Sequence, residues 1–318
     1  MREYRSVFAP LIARYIEFKR GLGYSFQEES AFAEFDRFCL KHGITESCLT
    51  QDFCDKWNEA RPNEAPGTRS NRLNDVRNFL IYIVNLGYET CIPKIINTGK
   101  STFTPYIFTD GEIARFFAAC DNNKITVRSV ANHAYPAVFR LLYGCGLRLN
   151  EALSLKCGDV DLTERFVIIR EPKNQCERKL PLSDSLAEIL LEYKSIYAQN
   201  YGDNDYFFQN KRGGKMTGRT AYHWFRIILR EAGISHGGRG SGPRIHDFRH
   251  TFSVHSMSRM SESGLDLYYS LPILSEYLGH KSIEATDGYV RLTAQMFPDI
   301  IGKADEVCGF VYPEVYSQ

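Results

Sequence analysis

Three observations in the sequence predict a mainly α protein of two domains that carries one small antiparallel β-sheet. Apolar residues recur at helical spacing along most of the chain. Between about Pro93 and Phe108, a polar run over 97–101 followed by Pro105 interrupts that pattern about a third of the way along and sets a linker at 98–108. Near residue 166 the period changes once, from helical to strand-like. A length of 318 residues is ample for two domains.

The elements follow in order. Phe8, Leu11, Ile12, Tyr15, Ile16 and Phe18 form an apolar stripe that ends at Gly21 and Gly23, a first helix with its stop signal. A second helix is expected over 28–41, with Phe32, Phe35, Phe38 and Cys39 inward and Gly43 closing it. Two more are expected over 50–59 and 67–86, separated by the break at 62–66. These helices make a first domain, 1–97. After the linker, Thr109-Asp-Gly-Glu112 is a capping box, in which a Thr and a Glu three residues on satisfy each other's backbone amides. It opens a second domain, 109–296, with helices expected over 129–143 and 150–155. Residues 166–170 read as a strand, and 179–182 as its hairpin partner across 171–178. Helices resume over 183–197, 217–232, 246–260, 272–278 and 282–290. A tail, 297–318, closes the chain.

Composition narrows the class of protein. The chain is 43% hydrophobic and 24% charged, ordinary for a soluble protein, and nothing approaches the roughly 20 consecutive apolar residues of a membrane helix. The first residues do not read as a secretory signal, so a cytoplasmic location is expected. Nine cysteines, an odd count without a CxxC pair, argue against a disulfide framework or a zinc knuckle. The net charge is only +1, yet residues 211–259 hold ten basic and two acidic residues, a net +8. Residues 281–318 carry a net −3. Such asymmetry suits a surface for a polyanion, although a solvated basic face has the same composition.

Four separated clusters hold the chemistry. In Gly144-Cys-Gly-Leu-Arg148-Leu-Asn-Glu151, an arginine follows a Gly-x-Gly turn at a helix start, where its planar fork is available to a phosphate. Glu151, three residues on, is placed to hold the guanidinium. Lys173 lies in the expected hairpin turn, where a lysine is free to deliver a proton to a departing alkoxide; Lys179 is a nearby rival. In Pro243-Arg-Ile-His246-Asp-Phe-Arg249-His250, His246 and Arg249 share a helix face and pair a proton-transfer group with a phosphate clamp. The i, i+4 spacing of His246 and His250 also suits a metal, but the glutamate of HExxH is missing and no third ligand is apparent. Last, Gly279-His280 precedes Tyr289 by a short helical segment. Any one cluster has an ordinary structural explanation. Together they supply what phosphodiester transesterification needs without a metal: two arginines for the phosphate oxygens, proton-transfer groups and a phenolic nucleophile.

In this order, Arg…Lys…His-x-x-Arg…Gly-His…Tyr, the sequence resembles the tyrosine recombinase, or phage integrase, family. The likeness spans about residues 108–291, with boxes at 143–162, 243–253 and 278–289. It implies a helical core DNA-binding domain followed by a catalytic domain. It further implies a site-specific recombinase that uses no cofactor and acts as a homo-oligomer, a tetramer on two double-stranded DNA sites. By the same resemblance Arg148 and Arg249 bind the scissile phosphate and Glu151 braces Arg148. Lys173 is the general acid, His246 helps activate the tyrosine and His280 hydrogen-bonds the phosphate. Tyr289 attacks to leave a 3′-phosphotyrosine. Thr286 fits the family's pattern as well, and the tail is placed to pack on a neighbouring protomer. A mobile-element enzyme is the preferred variant; a type IB topoisomerase-like enzyme and an inactive DNA-binding regulator are the alternatives.

Overall fold

The computed structural model describes residues 3–24, 30–95, 104–122, 130–170, 177–238 and 242–280, together with Thr286, Tyr289 and Thr293. The chain divides into two compact units, Met1–Phe103 and Thr104–Gln318. Among the described residues no helix is long and apolar enough to cross a membrane.

The first unit is built from α1 (Ala9–Gly21), α2 (Ser30–Lys41), α3 (Gln51–Asn58) and α4 (Pro66–Asn85). Its core is aromatic. Phe8, Phe32, Phe35, Phe79 and Trp57 are buried, and Phe35 meets Trp57 edge-on at 5.5 Å, the tilt that aromatic quadrupoles favour. Thr50 caps α3 by accepting from the Phe53 amide at 3.3 Å. Pro66 starts α4 at its first turn, where a missing N–H costs nothing; the break expected over 62–66 therefore ends inside the helix. A buried ion pair braces the same region: Arg72 donates to Glu64 at 2.6 and 2.8 Å and to the Trp57 carbonyl at 2.6 Å.

The second unit holds α5 (Asp110–Asn122), α6 (Val130–Gly144) and α7 (Leu149–Ser154). These are followed by β1 (Val160–Asp161), β2 (Phe166–Arg170) and β3 (Glu177–Pro181). Helices α8 (Asp184–Tyr197), α9 (Gly218–Glu231), α10 (Asp247–Glu262) and α11 (Leu267–Leu278) come last. The Thr109–Glu112 capping box forms in both directions, at 2.9 and 3.2 Å. Ser183 and Thr217 cap α8 and α9. The three strands pair antiparallel in the order β1-β2-β3, with Val167 opposite Leu180 and Arg170 opposite Glu177. Strand β1 is only two residues long and leaves no periodic signature in the sequence. Strand β3 begins two residues earlier than expected, which takes Glu177 and Arg178 out of the turn and into the sheet.

Phe116, Phe139, Phe225 and Phe248, from four different helices, form the aromatic centre of this unit. The stretch expected as a linker ends inside this core. Phe108 is fully buried, stacks on Phe248 at 5.2 Å and donates its amide to Thr251 at 3.0 Å. Helix α11 starts earlier than Pro272, the expected first residue, and carries that proline inside it. The helix expected over 282–290 lies outside the described residues except for Thr286 and Tyr289, and so does the tail.

Candidate active site

The turn before α7 places the first arginine. Gly146 adopts φ +60°, and a Cβ there would sit 2.5 Å from the Phe252 ring, so both the backbone and the space require glycine. Arg148 then serves as the N-cap of α7. Its amide donates to Glu151 Oε2 at 3.0 Å and its Nη1 to Oε1 at 2.6 Å. The Arg148 side chain remains 38% exposed while Glu151 is 7% exposed. The carboxylate is thus a buried brace, and the guanidinium is held while still open to a ligand.

Glu151 holds a second arginine that the sequence reading passed over. Arg178 donates from Nη2 to Glu151 Oε2 at 2.6 Å and is itself 10% exposed. It also packs on the turn after α11, where a Cβ on Gly279 would lie 2.9 Å from its Nη1. Strand alternation sends Lys179 to the opposite face, where its Nζ sits 3.5 Å over the Phe166 ring. The rival lysine therefore faces away from the arginine cluster. Lys173 lies outside the described residues.

Arg249 on α10 is 1% exposed. Its two terminal nitrogens donate to the Gly146 and Leu278 carbonyls, both at 2.8 Å. One guanidinium therefore ties the turn before α7 to the end of α11. Burial and the neighbouring Arg148 bring its pKa down to about 10, which leaves it charged at neutral pH. His246 is the exposed N-cap of α10. Desolvation within the site, then Arg249 and Arg244, lower its pKa.

His280 follows the left-handed Gly279, φ +67°, at the end of α11. Its Nδ1 lies 2.7 Å from Thr286 Oγ1. Burial, then Arg249, Arg148 and Arg178, bring it down to about 4, so the ring is neutral at physiological pH. Tyr289 is 6% exposed and packs with Val254, Met257, Leu271, Leu274 and Leu278. Burial raises its phenol above the ordinary value, while Arg249, Ser253 and Arg148 pull it back. Its hydroxyl lies 3.0 Å from His250 Nδ1. The histidine in contact with the Tyr289 phenol is therefore His250, which the sequence reading weighed only as a metal ligand. The sole sequence signal for it was its place one turn beyond His246.

The structure thus gathers Arg148, Glu151, His246, Arg249, His280 and Tyr289 around one centre and adds Arg178 and His250. Three arginines against one buried carboxylate make that centre strongly electropositive, with a phenol at its edge. It suits an anionic, tetrahedral group attacked by an oxygen nucleophile. On α9, Arg219, His223, Arg226 and Arg230 are exposed at helical spacing, and Ala221, Phe225, Ile228 and Leu229 face the core.

The chain is similar to known integrases and recombinases. The profile of the phage integrase family matches residues 107–296. The integrase/recombinase y4rB of Sinorhizobium fredii is 27% identical over 311 residues, 94% of this chain and 98% of that protein. Tyrosine recombinase XerA of Pyrococcus furiosus is 29% identical over 216 residues, 67% of this chain and 65% of its own length. Among solved structures, the Tn1549 transposon integrase in complex with transposon right end DNA superposes with a TM-score of 0.63 at 17% identity. That match covers 88% of this chain and 93% of the other, and it shows a shared fold.

Proposed function

The chain belongs to the phage integrase family of tyrosine recombinases, and on that premise we propose that it cuts and rejoins double-stranded DNA through a 3′-phosphotyrosine at Tyr289. The observation that carries the reading is the position of Arg249. Buried and bonded to the Gly146 and Leu278 carbonyls, it draws three distant stretches of sequence into one arginine-rich centre beside the phenol. In this reading Arg148 and Arg249 hold the non-bridging oxygens of the scissile phosphate, and Glu151 fixes Arg148. Lys173 protonates the leaving 5′-oxygen. His246 assists proton transfer, and His280 hydrogen-bonds the phosphate as negative charge builds. The covalent linkage conserves the phosphodiester bond energy, so the free 5′-hydroxyl of a partner strand religates without ATP.

The domain assignment follows the same reading. Residues 1–97 form a helical core DNA-binding domain, 98–103 a linker, 104–296 the catalytic domain, which takes in the buried Phe108 at the end of the expected linker, and 297–318 a segment exchanged between protomers. The working form is a tetramer on two DNA sites, in the cytoplasm, encoded by a mobile element. The relatives named integrase and the transposon integrase of like fold favour that variant.

The test is covalent capture. Nicked duplexes tiled across the DNA flanking the coding sequence are incubated with the full chain, and a protein–DNA adduct joined through a 3′-phosphate is sought. Tyr289→Phe abolishes the adduct, and EDTA leaves it intact. An adduct that survives Tyr289→Phe overturns the nucleophile, and loss of cleavage in EDTA overturns metal-independent chemistry.

A further inference from the structure

We propose that His250, rather than His246, takes the phenolic proton from Tyr289 during strand cleavage, and returns it on religation. The inference rests on reading Tyr289 as the nucleophile. Its first support is contact. His250 Nδ1 lies 3.0 Å from the Tyr289 hydroxyl, within the range a proton acceptor needs. His246 instead presents its ring edge-on to His250, centroids 4.8 Å apart, from an exposed position at the start of α10. The second support is burial. Tyr289 is 6% exposed and His250 is half-buried, so water is poorly placed to act as the base, whereas the imidazole nitrogen is already in contact with the hydroxyl.

The charges around His250 favour the neutral ring that a base requires. From α10 and its lead-in, His246, Arg244, Asp247 and Arg249 face it, and Tyr289 faces it from beyond α11. The single carboxylate, Asp247, is occupied by Arg244, which donates from its amide at 2.7 Å and from Nη2 at 2.9 Å. Burial, then His246, hold His250 down at about 4. Once a DNA phosphate sits beside Arg249, its negative charge offsets that arginine's repulsion of an imidazolium, and the base strengthens with substrate in place. The step then balances. The Tyr289 Oη–H proton moves to His250 Nδ1 as the Oη–P bond forms. The P–O5′ bond breaks, and O5′ leaves with its electron pair and takes a proton from the general acid. Religation runs the same moves in reverse.

The experiment is a single-turnover pH profile on the nicked duplex that the native chain cleaves. The native rate stays level around pH 7, where a base held at about 4 in the free protein remains neutral even after DNA strengthens it. His250→Asn keeps an amide near the Nδ1 position but has no basic nitrogen. Its rate drops about 100-fold at pH 7 and climbs about tenfold per pH unit as hydroxide replaces the lost base. In His250→Ala, added imidazole restores cleavage, which also serves if the Asn variant does not fold. Three results overturn the proposal: His250→Asn within about threefold of native at pH 7, an equal loss at every pH with no imidazole rescue, or alkaline recovery in His246→Asn instead. An adduct in Tyr289→Phe would sink the underlying reading on its own, whatever the histidines do.

Discussion

Arg249 does two jobs with one guanidinium, and they separate on substitution. Its bonds to the Gly146 and Leu278 carbonyls are structural, and in the proposed reaction its charge serves a phosphate. A lysine has no planar fork and cannot reach both carbonyls. Arg249→Lys therefore leaves a buried carbonyl unsatisfied, at about 1–3 kcal/mol. Melting of the catalytic unit should then fall by about 2–4 °C per kcal/mol lost, and cleavage about 100-fold or more. Glu151→Gln behaves differently. The buried carboxylate accepts from both Arg148 and Arg178, and a neutral amide holds two cations poorly. Arg148 then loses its fixed aim, and a shift of about 1 Å in a positioned group costs about 100-fold in rate. Calorimetry and single-turnover cleavage on the same samples check both. If Glu151→Gln cleaves at the native rate, the brace is not needed.

At the scale of elements, what the sequence disclosed depended on how local the cause was. Thr50, Ser183, Thr217 and the Thr109–Glu112 box all announce helix starts, because capping involves residues at most three apart. Pro136 and Pro272 lie inside helices; tertiary packing overrode a local breaker at Pro272, and only the fold reveals that. Arg178 was missed because the strand's start is fixed by the pairing of Glu177 with Arg170 on the neighbouring strand. His250 was missed because its partner is 39 residues away. The Glu64–Arg72 pair, tying the start of α4 to the end of α3, gives a test in the first unit. Arg72 donates to Glu64 and holds its carboxyl below the usual carboxylate range. A depressed pKa stabilises the folded state above the unfolded value of about 4.3, and that gain is lost as pH falls through the folded value. Glu64→Gln, which breaks a buried pair with side chains 4% and 6% exposed, should cost about 3 kcal/mol at pH 7. The gap to native should close below about pH 4. Trp57, whose ring lies 4.9 Å under Arg72, reports it by fluorescence in a Trp224→Phe background, since the chain has two tryptophans. A gap that persists at low pH would mean that packing, not charge, is lost.

For the whole molecule, the relevant quantity is where charge sits rather than how much there is. A net of +1 gives no long-range pull on DNA, while the +8 over residues 211–259 does. Within that stretch, Arg219, Arg226 and Arg230 share the exposed face of α9, at a spacing that lets a duplex backbone meet them together. Arginines that touch phosphates release condensed counterions, so the binding constant falls with salt by about 0.9 in log–log slope per phosphate neutralised. Changing Arg226 and Arg230 to alanine should weaken binding by a similar factor on every duplex sequence and make that slope shallower by nearly two. Their side chains project from an exposed helix face, so the melting temperature should hold. Fluorescence anisotropy of a labelled duplex, read from about 50 to about 200 mM salt, measures both affinity and slope. A loss confined to one sequence would instead assign these arginines to base edges. An unchanged slope would place the DNA on another face, and the basic stripe would then be a solvated surface, the alternative that composition alone left open.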